Sequence, residues 1–369
     1  MSIAMKAPGR YVQGFGERKK LGQSVKKLGS TFYVLCSPGG RRRFGEEIEQ
    51  SLTEQEKTVV FAEFHGEATK AEVFAHMDAC KAAGCDAVIG MGGGKVIDTA
   101  KTVAENLGGL PCIIIPTVAS NDAPCSGVAV LYNEQGVVAI WPKAVMMRRN
   151  PDLVLVDTEI LSKAPARLLS AGMGDALSTW FEAEACRKNG VKTMARGQET
   201  ETVAMMSRLC YDLLLRYGSE ALDGVKRGEY TPALEKVVEA NILLSGVGFE
   251  SGGLAAAHAI NDGFAQEPQA HGMYHGEKVA FGVLTQLVLQ KADAQTLEEV
   301  LGFLARVELP MTLAQLGITE IREETLRKVA EAACVPTQST KNLSPDITAE
   351  DVYQALLEAD RIGREYLAR

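Results

Sequence analysis

Val88-Ile89-Gly90-Met91-Gly92-Gly93-Gly94-Lys95-Val96-Ile97-Asp98-Thr99-Ala100-Lys101 is the stretch from which the fold can be read. The apolar run Asp86 to Ile89 has the texture of a buried strand, and four glycines fall within the next five residues. From Lys95 onward, Val96, Ile97, Ala100, Val103 and Ala104 recur at the spacing of an amphipathic helix. A strand, a glycine turn and a helix N-terminus together make a candidate anion site. Glycines admit a phosphate close to the backbone, while unpaired N–H groups and the helix dipole favour negative charge. Lys95 adds a point charge. The dinucleotide fingerprint needs a glycine where Lys95 stands, and the Walker A pattern needs a glycine at Ile89 and a hydroxyl at Val96; neither is met. On these residues alone, a plain turn closing a βα unit competes with phosphate binding.

The surroundings extend the alternation. Thr31–Cys36, Thr58–Phe61, Pro111–Ile115 and Leu153–Asp157 read as strands, with helices at Arg41–Leu52 and Thr69–Ala83. Continuous apolar strands separated by helices predict a parallel sheet covered on both faces. Val128–Tyr132 and Val137–Trp141, joined by Asn133–Gly136, predict an antiparallel hairpin. After Thr158 the periodicity is helical throughout, including Thr193–Tyr217 and Pro232–Ser245. The expectation is an α/β nucleotide-binding domain over residues 1–160 and an all-helical domain over 161–369. In open α/β sheets, ligands sit beyond the carboxyl ends of the strands. Two such ends carry unusual loops: Gly90–Lys95, and Pro116–Ser126, which brings Thr117, Ser120, Asn121, Asp122 and Ser126 together. Turn chemistry alone accounts for the second loop equally well.

Composition narrows the partners. The 369 residues are 46% hydrophobic and 23% charged, with a net charge of −8, which argues against nucleic acid or an anionic membrane surface as the main partner. No apolar run reaches the roughly 18 residues of a membrane span, and Met1-Ser2-Ile3-Ala4 opens no signal peptide. Eight cysteines without a C-x-x-C pair fit small buried hydrophobes in a reducing cytoplasm.

Of five histidines, three fall between positions 258 and 275. His258 interrupts the small-residue run Gly253–Ile260, which gives imidazole no packing role. Asp175 sits in Ala171-Gly172-Met173-Gly174-Asp175-Ala176-Leu177, where a buried carboxylate without a partner is costly. His271 and His275 are four apart, but Gly272 stands where the zincin motif needs glutamate. Three N/O ligands with an open fourth position describe a catalytic zinc site, and spacing does not choose between His271 and His275.

Taken together, Gly92-Gly93-Gly94-Lys95, Pro116-Thr117-x-Ala119-Ser120-x-Asp122-Ala123-Pro124-Cys125-Ser126, Gly172-x-Gly174-Asp175-Ala176, Gly252–His258 and His275–Phe281 resemble the zinc-dependent polyol branch of the iron-containing-alcohol-dehydrogenase-like family. The resemblance runs through nearly the whole chain in order. It implies dehydroquinate-synthase-like architecture, a cleft for NAD and one Zn2+, and a cytoplasmic homo-oligomer, an octamer in such relatives. It places the pyrophosphate on Gly93, Gly94 and Lys95, with Asp98 just beyond, and makes Ser37, Thr117, Ser120, Ser126, Val128 and Tyr132 further cofactor contacts. Asp122 meets the polyol, and Asp175, His258 and His275 hold the zinc next to the substrate, with His271 left at the rim.

The implied reaction is the interconversion of glycerol, or another small vicinal diol, with its ketone. The metal acts as a Lewis acid on the secondary hydroxyl, and the nicotinamide takes the hydride. A lyase of the dehydroquinate-synthase kind shares fold, NAD and zinc but needs several cations around the metal, where these segments offer mainly Lys278. A non-catalytic scaffold is opposed by the three intact ligand-type residues. Two departures from the family pattern stand out. Asn261-Asp262 replaces a common His-Asn, and Ser37 replaces an aspartate that would bond the adenosine ribose and repel a 2′-phosphate. With Arg41, Arg42 and Arg43 nearby, the expectation is that NAD works and NADP is rejected less strongly. The competing expectation is that these arginines lie exposed on a helix, paired with Glu46, Glu47 and Glu49.

Overall fold

The computed structural model describes residues 2–133 and 144–369. The chain forms two compact units, one of Lys6–Pro165 with Gly224–Gly246, the other of Met1–Met5, Ala166–Asp223 and Val247–Arg369.

The first unit is built on six strands: β1 (Tyr11–Gly14), β2 (Thr31–Cys36), β3 (Thr58–Glu63), β4 (Ala87–Gly92), β5 (Cys112–Pro116) and β8 (Leu153–Asp157), in the order β1-β8-β5-β4-β2-β3. Every neighbouring pair is parallel. The apolar runs occupy the middle of the sheet because only there are both faces covered; β4, β5 and β8 are buried along their whole length. Strand β1 has no counterpart in the sequence reading. It has four half-buried residues, Tyr-Val-Gln-Gly, at a sheet edge, where neither alternation nor an apolar run marks it. What holds it is the register Tyr11↔Val154 to Gly14↔Asp157.

The order reverses between β2 and β4: β3 lies on one side of β2, while β4, β5 and β8 lie on the other. The carboxyl ends of β2 and β4 therefore form the switch point, where open sheets bind ligands. Their loops start at Ser37 and Gly93. A second sheet pairs β6 (Val128–Val130) antiparallel with β7 (Ala144–Met146); the expected hairpin arm Val137–Trp141 lies outside the described residues.

Three helix boundaries differ from the expectation. The helix after β2 spans Pro38–Thr53 and does not wait for Arg41. Ser37 caps it by accepting from the Gly40 N–H at 3.1 Å, and Pro38 takes the first position, where its missing N–H and fixed φ suit a helix start. The helix expected from Thr193 starts at Glu201. The Thr193 hydroxyl bonds the Gly197 carbonyl at 3.0 Å and Arg196 takes φ of 67°, so local turn chemistry displaces the first turns. The helix expected over Pro232–Ser245 is α-helical over Pro232–Val238, π-helical over Glu239–Leu244 and α-helical again from Ser245. Among the described residues no strand follows Asp157, none of the eight cysteines forms a disulfide, and no helix is long and apolar enough to cross a membrane.

The helix after β4, Gly94–Asn106, is buried from Val96 to Ala104. Two charges lie inside that span. Lys101 Nζ is 2.9 Å from Asp98 Oδ1; it also donates to the carbonyls of Ala123 at 2.9 Å, Ser126 at 3.4 Å, and Val128. The other Asp98 oxygen accepts from the Val130 N–H at 3.0 Å. Lys101→Met leaves a buried carboxylate without its counter-charge and is expected to cost about 3–5 kcal/mol in denaturant unfolding. The double variant Asp98→Asn/Lys101→Met is expected to lose less than that single change.

Candidate functional site

In the helical unit, three segments bring Asp175, His258 and His275 together: the helices Ala166–Lys188, Ala256–Gly263 and His275–Leu289. Small residues make this possible. A Cβ on Gly276 would lie 1.7 Å from the Ala171 carbonyl oxygen, and one on Gly174 would lie 2.3 Å from that of Gly276. Only bare backbone permits the first and last of these helices to approach so closely.

Asp175 is 1% exposed, and its Oδ1 stands 3.4 Å from His258 Nε2 and 3.2 Å from His275 Nε2. One ligand atom from each residue lies within 4.8 Å of the others. His271 instead directs Nε2 to the Ala265 carbonyl at 3.1 Å and stands outside the cluster.

The electrostatics of the cluster call for a cation. Among the described residues neither Asp175 oxygen has a hydrogen-bond partner of good geometry. Burial disfavours its charge, but the imidazoles of His275 and His258 outweigh that and hold the carboxyl below its ordinary range. Burial would likewise depress His258, yet Glu182 and Asp175 carry it well above the usual imidazole value. A buried carboxylate facing two Nε2 atoms fits a divalent metal of the zinc class, which takes nitrogen and oxygen donors together.

Glu182, absent from the sequence reading, is what aims His258. It is fully buried, accepts from the backbone N–H groups of Ala255 at 2.8 Å and His258 at 3.0 Å, and lies 2.6 Å from His258 Nδ1. A carboxylate on the far ring nitrogen fixes the tautomer and turns Nε2 toward the metal position. Glu182 lies seven residues beyond Asp175 on one helix, so two turns place both carboxylates on one face. That spacing was the available signal.

In the sheet unit, the glycine loop ends in a helix whose N-cap, Gly93, offers no side-chain cap, so first-turn N–H groups stay available for an anion. A Cβ on Gly94 would come within 2.8 Å of Asn121 Nδ2, and the Thr117 N–H donates to the Gly92 carbonyl at 3.0 Å. The two loops foreseen as ligand sites thus touch. Lys95 pairs with Glu67 at 2.6 Å and lies 5.1 Å from the centre of the Tyr132 ring. Ser120, Thr117 and Val128 are partly exposed. Ser126 is buried with its hydroxyl on its own loop, 3.4 Å from the Ala123 and Val128 carbonyls, and Asp98 faces Lys101 and Val130, as described above.

Asp122 accepts from the Ser245 hydroxyl at 2.8 Å, and Asn241 donates to the Ala119 carbonyl at 3.0 Å. The π-helical segment and its flank therefore brace the Pro116–Ser126 loop, and none of Asn241, Ser245 or Lys101 was foreseen. Of the arginines after Ser37, Arg41 lies over the Phe61 ring and 3.6 Å from Glu49, and Arg43 donates to the Gly39 carbonyl. Glu47 is taken by Arg18 and Lys19. All three arginines are exposed.

The family model described as iron-containing alcohol dehydrogenase matches residues 8–158, and the chain belongs to the iron-containing alcohol dehydrogenase family. Along its full length it is similar to a glycerol dehydrogenase of Pseudomonas putida, 45% identical over 100% of both chains. The crystal structure of glycerol dehydrogenase from Schizosaccharomyces pombe superposes with a TM-score of 0.95 at 35% identity, covering 100% of this chain and 92% of that one. That of a probable glycerol dehydrogenase from Sinorhizobium meliloti 1021 gives 0.92 at 39% identity, covering 99% and 100%.

Glu182→Gln keeps the shape of the side chain but removes the charge behind His258. It is expected to weaken metal retention about 10- to 100-fold, read by competition with a chelator. His271→Ala is expected to retain metal like the unaltered protein, whereas His275→Ala is expected to lose it.

Proposed function

We propose that the chain is an NAD-dependent polyol dehydrogenase that interconverts glycerol and dihydroxyacetone, with one zinc ion on Asp175, His258 and His275. The observation that carries this reading is the buried carboxylate facing two imidazole Nε2 atoms in a chain of this family. Residues 1–160 supply the nucleotide site and 161–369 the metal site, in a cytoplasmic homo-oligomer. When bound, the metal supplies Lewis acidity that lowers the pKa of an alcohol, and NAD supplies the hydride acceptor.

The chain's own groups do the positioning. First-turn N–H groups after Gly93 and Gly94 would hold the pyrophosphate, with Lys95 as the nearby cation. Thr117, Ser120, Val128 and Tyr132 line the cofactor, whereas Ser126 and Asp98 act from behind by holding the loop. Asp122, oriented by Ser245, accepts a hydrogen bond from the hydroxyl next to the reacting one and so favours vicinal diols. The lyase alternative needs free cations near the metal ligands. Arg167, on the Asp175 helix, is already held by Glu277 at 2.6 and 2.9 Å. A spectrophotometric screen of alcohols with NAD and NADP tests the reading; no turnover of glycerol or any small diol would refute it.

Asp122→Ala is expected to lower kcat/KM for glycerol about 5- to 150-fold, corresponding to about 1–3 kcal/mol, with a smaller loss for a monohydric secondary alcohol. Ser245→Ala should reproduce part of that selective loss. Equal losses on both alcohols would leave Asp122 a purely structural role.

Cofactor choice is tested at Ser37. Aspartate is as good an N-cap as serine, so Ser37→Asp is expected to leave thermal stability unchanged. It is expected to raise the NAD over NADP ratio of kcat/KM, mainly through lost NADP activity. An unaltered enzyme that already rejects NADP about a thousandfold, or about 4 kcal/mol, would place the selectivity elsewhere.

A further inference from the structure

Two of the histidines, His65 and His76, belong to the sheet unit and have no part in the chemistry above. His65 lies in the loop after β3, and Glu72 and His76 lie on the next helix, Lys70–Ala82. Being four apart, Glu72 and His76 share one helix face. Thr69 caps that helix by accepting from the Glu72 N–H at 3.1 Å, and Glu72 folds back to accept from the His65 N–H at 2.9 Å. The side chains then converge. His65 Nδ1 is 3.1 Å from both Glu72 oxygens, His76 Nε2 is 2.9 Å from Oε1, and the two imidazoles stack at an interplanar angle of 11°.

We infer that His65, Glu72 and His76 form a second site for a divalent transition metal, in a unit separate from the Asp175 centre. One ligand atom from each residue falls within 4.8 Å of the others. A tetrahedral zinc ion with bonds of about 2.0–2.1 Å spaces its ligands about 3.3 Å apart, so the carboxylate–imidazole separations of 3.1 and 2.9 Å need only a small expansion. The second shell is also built. His76 Nδ1 is 2.8 Å from the hydroxyl of buried Tyr33, which holds the ring with Nε2 toward Glu72, as an outer partner does at a metal-bound histidine.

Two side chains are preorganised, His76 at 6% and Glu72 at 11% exposure, whereas His65 at 69% leaves the remaining coordination positions open to solvent. Two imidazoles and one carboxylate select zinc, cobalt, nickel or copper over magnesium and calcium. An ion on His76 Nε2 leaves the ring proton on Nδ1, where the Tyr33 hydroxyl oxygen can accept it. The loop clamped in this way also carries Glu67, the partner of Lys95, and Ala68, whose carbonyl accepts from the Tyr132 N–H at 2.9 Å.

Equilibrium dialysis of the metal-loaded protein against micromolar Zn2+, followed by elemental analysis, tests the site. The unaltered protein is expected to hold one more zinc per chain than His65→Ala or Glu72→Gln, with affinity for that ion at least tenfold weaker in each variant. His271→Ala, a histidine outside both clusters, is expected to match the unaltered protein. In Asp175→Asn the His65-dependent zinc should persist, which separates this site from the other. His65 is exposed, so its loss is expected to leave Tm unchanged without metal; in the Asp175→Asn background, added Zn2+ should raise Tm only where His65 is present. Equal zinc content in the unaltered protein and His65→Ala would overturn the inference.

Discussion

One ammonium group, Lys101 Nζ, sits where the nucleotide end of the sheet unit is either ordered or lost. It lies inside a buried helix, neutralises Asp98 one turn away, and draws in the carbonyls of Ala123, Ser126 and Val128. A loop of polar residues beyond a buried strand cannot order itself by apolar packing, because it has little apolar surface to bury. A desolvated charge with several acceptors can do so, since each acceptor it loses leaves that charge less compensated. Asp98 completes the arrangement by taking the Val130 N–H. The same loop is braced from its other side by Asn241 and Ser245, so segments distant in sequence fix where Asp122 stands.

The Asp175 cluster follows the opposite logic. Among the described residues neither Asp175 oxygen has a hydrogen-bond partner of good geometry, while His258 and His275 turn Nε2 toward Asp175. Such an arrangement is favourable for a protein that holds a cation, and the packing of the three helices keeps its members in place. Gly174 and Gly276 supply the rigidity by letting backbones meet, and Glu182 supplies the aim. Stability is given up at the centre and recovered around it, which is the usual relation between a site and its scaffold.

The two histidine clusters differ in the way that separates a structural network from a poised one. Around Glu72 the His65 N–H, His65 Nδ1 and His76 Nε2 are already engaged, so an incoming metal competes with existing hydrogen bonds. Around Asp175 it competes with little. The first is therefore expected to bind more weakly and exchange faster than the second, whatever their shared liking for imidazole donors.

Much of this was legible in the chain itself. Buried parallel strands appear as uninterrupted apolar runs because both sheet faces are covered, and Asp175 and His258 stand out because nothing about small-residue helices explains a carboxylate or an imidazole. Strand β1 was not legible, since a four-residue edge strand is defined by its neighbour's backbone and not by its own side chains. Spacing left His271 and His275 equal and only the family resemblance favoured His275; the fold is what brings its ring to Asp175, because spacing along a chain does not say which ring faces a helix a hundred positions away. The same holds for Glu67 opposite Lys95, Glu182 behind His258, and Lys101 under the Pro116–Ser126 loop. The sequence determined which chemistry the chain carries, through residue types that local packing cannot account for. The tertiary structure alone decided which of those residues meet, because hydrogen bonds and ion pairs are set by distance in space.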